Sequence, residues 1–190
     1  MGMADAERFH PDSLADWHEW LAAHAHRGAG VWVVLWRPRS GHPALSYDEL
    51  IREALCWGWI DGQSKPLDDD RSMLWMTRRT ANSPWSASNK ARVAELEQQG
   101  RLQPAGREVI RQAKANGNWT ILDSVDALIE PPDLGAALEA NPLAKATWSA
   151  YPPSVKRMVL AQLAFAKRDD TRARRITKFV AAAARGERPA

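Results

Sequence analysis

The chain has 190 residues and a hydrophobic fraction of 45%, which allows one compact domain or a core with a helical extension. Its single cysteine, Cys56, excludes an intramolecular disulfide and a Cys-based zinc site, and points to a reducing compartment. The formal net charge of +3 is too small to define a class of partner by itself, so the pattern along the chain matters more.

Asp16 to His26 reads as a helix, with Trp17, Trp20, Leu21 and His24 on one face; Gly28 and Gly30 end it. Val31-Trp32-Val33-Val34-Leu35-Trp36 is a continuous apolar run of β-branched and aromatic residues, the pattern of a buried strand. Arg37 to Pro43 is a turn. Ser46 with Glu49 forms a capping box for a helix whose buried face is Leu50, Ile51, Ala54 and Leu55. Trp59-Ile60-Asp61 begins a strand, Asp68-Asp69-Asp70 forms an acidic loop, and Ser72 to Thr77 is the partner strand.

Helices follow. Ser86 or Ser88 caps one that runs to Gln99 and stops at Gly100. Pro104 opens the next, which ends at Asn116-Gly117. An acidic connector with Pro131-Pro132 leads to a short helix, and Asn141-Pro142 opens another. Pro152-Pro153-Ser154 opens a helix through Lys167, and Asp169-Asp170-Thr171 caps the last, Arg172 to Ala184. The tail from Arg185 is expected to fray. These elements predict an α+β fold: a small N-terminal sheet packed with helices, then a helical C-terminal half. Residues 10–120 form the expected α+β core, and residues 121–185 a helical extension packed on it.

The charges alternate in blocks. Basic and acidic side chains number 6 and 12 over residues 1–70, 9 and 3 over 71–120, 1 and 5 over 121–150, and 10 and 3 over 151–190. Basic blocks of this kind face either an anionic partner or the chain's own acidic blocks.

Ten tryptophans stand against five Phe and Tyr together, and they crowd around two segments. In the first, Trp57-Gly58-Trp59-Ile60-Asp61-Gly62, two rings flank a glycine that lets another group approach the backbone, and a carboxylate follows. Trp75 lies on the partner strand, and the second segment, Arg78 to Lys90, supplies cations, hydroxyls, an amide and Trp85. The candidate ligand site is therefore Trp57, Trp59, Asp61, Trp75, Arg78, Arg79, Ser83, Trp85, Ser86, Asn89 and Lys90. Adjacent strand residues point to opposite faces, so one of Arg78 and Arg79 is expected in the pocket, where a guanidinium suits a carboxylate or phosphate. The helix start beside Ser86 offers free N–H groups to an anion. Cys56 reads as a core thiol. His18, His24 and His26 with Asp16 are metal-ligand types, but His24 and His26 cannot share a helix face, so no metal is expected. No glycine-rich phosphate loop is present, and no cofactor is expected.

Over nearly the whole chain, and in order, a set of motifs stands out. They are Trp17–Leu21, Gly30-Val31-Trp32, Tyr47, and Glu53-Ala54-Leu55-Cys56-Trp57-Gly58-Trp59-Ile60-Asp61-Gly62. Arg78-Arg79, Ser83-Pro84-Trp85-Ser86 with Asn89, and Gly100-Arg101-Leu102 with Pro104-Ala105-Gly106 follow. Pro131-Pro132-Asp133-Leu134, Ala166-Lys167 and Thr171-Arg172 with Arg174-Arg175-Ile176 complete the set. In these the chain resembles the YdeI/OmpD-associated proteins, the bacteriocin-protection family. The resemblance implies a link to survival of antimicrobial peptides and brings no catalytic residue with it.

The leading reading is a small or peptide ligand with an anionic or polar group, bound in a Trp-lined polar pocket, with a role in antimicrobial-stress protection. An enzyme would instead use Asp61 as general base and Arg78 or Arg79 as anion stabiliser, although no recognisable catalytic motif is present. A nucleic-acid-binding protein would use the basic C-terminal helices, with Arg172, Arg174, Arg175 and Lys178 on phosphates; no recognised nucleic-acid motif accompanies them, which disfavours that partner. Met1 to Pro11 has no basic start followed by an apolar run, and no run is long enough to span a bilayer. A cytoplasmic location without a membrane span is expected.

Overall fold

The computed structural model describes residues 3–189. The chain is α+β: a four-stranded sheet lies in the N-terminal half, and helices dominate the C-terminal half. It divides into two compact units. One comprises the chain up to Ser83 with Ser88–Trp119, the other Pro84–Ala87 with the chain from Thr120 on.

In the first unit, β1 (Arg8–Phe9) is followed by α1 (Leu14–Ala23), β2 (Val31–Trp36), α2 (Tyr47–Cys56), β3 (Trp59–Pro66) and β4 (Arg71–Arg78). The helices α3 (Ala87–Gln98) and α4 (Pro104–Ala115) complete it. The strand order is β1-β2-β4-β3, with β1 parallel to β2 and the other pairs antiparallel. α1 starts two residues before the expected Asp16, because Ser13 and Asp16 form a capping box of their own. The box at Ser46 and Glu49 forms as expected.

The alternation of strand side chains gives the sheet two different faces. Val31 and Val33 pair with Met76 and Leu74 and share a face with Trp59, Asp61 and Arg78. The rings of Trp59 and Trp20 meet edge to face at 5.4 Å, so α1 covers this side. Trp17 ties α1 to α2 by donating its indole N–H to the Leu50 carbonyl at 3.1 Å. Trp32, Val34 and Met73 cluster on the opposite face with Trp75 packed against them.

Two glycines let α4 approach α2. A Cβ on Gly106 would lie 2.2 Å from the Cys56 carbonyl oxygen. Gly58 has a φ of +79°, and a Cβ there would lie 2.9 Å from Val109.

The second unit contains α5 (Asp123–Asp126), α6 (Pro132–Glu139), α7 (Pro142–Ala150), α8 (Pro153–Ala164) and α9 (Asp169–Ala184). Its core is Val125, Leu134, Leu138, Ala144, Trp148, Val159, Leu160, Leu163, Ile176, Phe179 and Ala183. The last helix starts at Asp169, ahead of the expected Arg172, so Asp169 and Asp170 lie in its first turn, where the helix dipole favours carboxylates. The tail does not fray at once: Tyr151 donates its hydroxyl to the Glu187 carbonyl. No described helix is long and apolar enough to cross a membrane.

Candidate functional site

The predicted site residues fall into separate places. The first is the end of the β3–β4 ladder. Trp59 and Arg78 are direct cross-strand partners, so their side chains rise together from the same face. The next peptide continues the ladder, with the Arg79 N–H donating to the Gly58 carbonyl at 2.9 Å. Asp61 lies one pleat along, opposite Met76. A register shift between Asp61 and Ser64 places a β-bulge immediately beside it.

The indole N–H of Trp57, that of Trp59 and the Arg78 Nε are buried and have no hydrogen-bond partner among the described residues. Trp59 is fully buried. Arg79 is 4% exposed, and burial lowers its pKa to about 10 even though the Asp61 charge opposes the shift. Asp61 Oδ2 accepts the Tyr47 hydroxyl at 2.7 Å. Burial, then that bond, pushes the Tyr47 phenol up to about 12.

A second cluster borders Trp57. Glu53 is buried on α2; its carboxylate contacts His18 Nδ1 at 2.7 Å and accepts from Arg101 Nη2 at 2.7 Å. The His18 ring meets Trp57 edge to face at 5.6 Å. Cys56 is buried beside them, and burial, helped by the Glu53 charge, pushes its thiol up to about 11, so it is an inert core thiol at neutral pH. Tyr47, Glu53 and Arg101 are not among the site residues expected from the sequence, and neither is His18. Their partners lie 14 to 48 residues away, beyond any local periodicity. One signal was available: Glu53 is a charge set among Ile51, Ala54 and Leu55, where a helix that buries most of its surface must give a carboxylate a partner.

Trp75 is not part of this arrangement. It projects from the other face of β4, opposite Trp32, where it lines a cavity of about 250 Å³ with Thr77, Glu7, Arg27 and the Gly28–Gly30 backbone. The period of two along a strand separates it from Trp59 and Arg78.

The residues around the start of α3 disperse as well. Ser83 Oγ accepts the Thr80 N–H at 3.0 Å and closes a turn. Asn89 is buried and accepts from Arg92, which also donates to Asp48. Lys90 lies 6.0 Å from the Trp119 ring, which Lys114 also faces at 5.1 Å. Trp85 is buried and Ser86 half-buried, in the segment assigned to the second unit. The N–H of Ala87 donates to Asp126 Oδ2 at 2.8 Å, a bond within the second unit.

In the second unit a cavity of about 170 Å³ is lined by Val125, Ile129, Pro131, Leu160, Leu163 and Arg172. Arg172 is held by both Asp133 oxygens and the Leu163 carbonyl, and Arg175 donates to the Gln162 carbonyl. Among the described residues, no group of His, Cys, Asp and Glu side chains is arranged to hold a metal ion.

Residues 9–109 match the family described as a domain of unknown function, DUF8412, which is more than half of the chain. The chain belongs to the DUF8412 family. The matched span holds β2, β3 and β4 and, with them, the Trp57 to Gly62 run and both arginines. Residues 127–186 match the family described as bacteriocin-protection, YdeI or OmpD-associated, so the second unit of this DUF8412 chain carries the resemblance read from the sequence. No curated protein and no solved structure matches the chain.

Proposed function

We propose that this protein binds a small molecule or a peptide terminus through an anionic, acceptor-rich group, at the end of the β3–β4 ladder. The observation that carries this reading is the set of buried donors without partners: Trp57 Nε1, Trp59 Nε1 and Arg78 Nε. A buried donor left unsatisfied costs about 1–3 kcal/mol, and buried indole N–H groups normally find an acceptor. Every unsatisfied group here is a donor, so the matching ligand group is an acceptor, and the neighbouring Arg79 charge favours one that is negative. Asp61 and Tyr47 form the polar rim, and the bulge beside Asp61 is of the kind that re-aims side chains next to sites. The family description matched by residues 127–186 supports a protective role in antimicrobial stress for such a binder.

Calorimetric titration with a short peptide, as the free acid and as the C-terminal amide, tests the reading beside acetate and phosphate. The free acid should bind and the amide should not. Trp59→Phe, which keeps the ring and removes the N–H, should weaken binding about tenfold, the effect of one charge-assisted hydrogen bond. Equal binding of acid and amide, or an unchanged affinity in Trp59→Phe, would count against it.

A further inference from the structure

The cavity on the opposite face of the sheet is a separate feature with its own chemistry. Trp75 and Thr77, two residues apart on β4, both line it. Residues 28–30, Glu7 and Arg27 complete the lining, together with Met3 and Ala6. Gly30 has to be glycine, since a Cβ would lie 2.3 Å from the Trp75 ring; the missing side chain lets the indole lie against the backbone. Gly28 is different: a Cβ there meets nothing within 4 Å.

The charges are unevenly committed. Glu7 accepts from Arg27 Nη1 and from the Trp20 indole at 3.3 Å, so both of its oxygens are engaged. The hydrogen bond from Arg27 comes first among the causes that hold the Glu7 carboxyl below its usual range. A guanidinium carries five N–H donors, and Glu7 takes one nitrogen of it, so Arg27 keeps donors for a second anion while Glu7 fixes its position. The space, about 250 Å³, is smaller than the roughly 300–1,000 Å³ of pockets for drug-sized ligands, and it suits a single ring.

We propose that this cavity binds a one-ring aromatic carboxylate, with the ring against Trp75 and the carboxylate on Arg27. The inference stands apart from the proposal for the β3–β4 end, because Trp75 and Trp59 lie on opposite faces of the sheet. Aromatic contact accounts for the ring, a charge-assisted hydrogen bond for the carboxylate, and the side-chain-free Gly28 position for the room.

The test is a titration of the whole chain with benzoate, followed by the Trp75 indole resonance and by calorimetry. Cyclohexanecarboxylate and benzyl alcohol serve as controls lacking the aromatic ring and the charge. Benzoate should bind saturably and shift the Trp75 resonance, and both controls should bind more weakly. Gly28→Leu puts a bulky side chain at a lining position where a Cβ meets nothing, and Arg27→Gln removes the cation; each should weaken benzoate about tenfold or more. Circular dichroism checks the fold of both variants, and Gly28→Leu alone keeps the test decisive if Arg27→Gln fails to fold. Trp59→Phe should leave the benzoate-dependent shift of the Trp75 resonance unchanged, even where it weakens binding at the β3–β4 end. An unmoved Trp75 resonance, or equal benzoate affinity in Gly28→Leu, would overturn the proposal.

Discussion

Tyr47 hydrogen-bonds Asp61 from a position that is itself 51% exposed, which makes it the easiest group of the candidate site to follow. Its pKa is raised from the ordinary 10 to about 12, chiefly by burial and then by the bond to Asp61. The folded state therefore favours the protonated phenol. The associated stability is fully present below about pH 10, the ordinary tyrosine value, and is lost as pH rises toward the folded value. An ultraviolet titration of the native protein should show tyrosinate forming late, near pH 12, and Tyr47→Phe should remove that step. A Tyr47 that ionises at the ordinary value would mean that its burial and its bond to Asp61 do not hold in solution.

At the scale of elements, the contact of α2 with α4 depends on Gly106. Gly106→Ala drives a Cβ into the Cys56 carbonyl at 2.2 Å, and such a clash with backbone should cost about 1–3 kcal/mol or more. Gly135, in α6, has open space where its Cβ would go and no positive φ, so Gly135→Ala should stabilise by up to about 1 kcal/mol. Urea denaturation of the two variants separates these outcomes; similar effects in both would refute the packing argument. The same contact shows what was legible in the sequence. Gly58 signalled a close approach, and the approaching element is α4, which its neighbours in the chain could not reveal. Helix starts were legible where the box was Ser with Glu, as at Ser46, and less so where Asp16 replaced Glu as the partner of Ser13. β1 is two residues long and has no periodicity to read. The density of tryptophans along the chain groups Trp75 with Trp59, but strand alternation and pairing put them on opposite faces. The Glu53 cluster depends on pairs 35 and 48 residues apart, which only the folded chain brings together.

For the whole molecule, many carboxylates have arginine partners, within one charge block as in Glu7 with Arg27, or between blocks as in Asp133 with Arg172. Glu7 is held below its ordinary range chiefly by a hydrogen bond from Arg27, Asp48 by Arg52 and then Arg92, and Asp133 by Arg172. Their folded pKa values are depressed, so the stability they contribute is present above the ordinary carboxylate range, about pH 4, and is lost as pH falls below it. Thermal midpoints should be level from pH 8 to 6 and drop steeply below about pH 4. A midpoint unchanged at low pH would show that these pairs add nothing. The central claim is that the buried donors at Trp57, Trp59 and Arg78 receive an anionic group. The most direct measurement is the proton–nitrogen spectrum of the tryptophan indoles during titration with acetate and phosphate, with Trp57 and Trp59 assigned by Phe substitution. Trp17, whose indole already donates to the Leu50 carbonyl, is the internal control. The Trp57 and Trp59 resonances should move saturably while Trp17 stays in place. Stationary Trp57 and Trp59 resonances throughout the titration would contradict it.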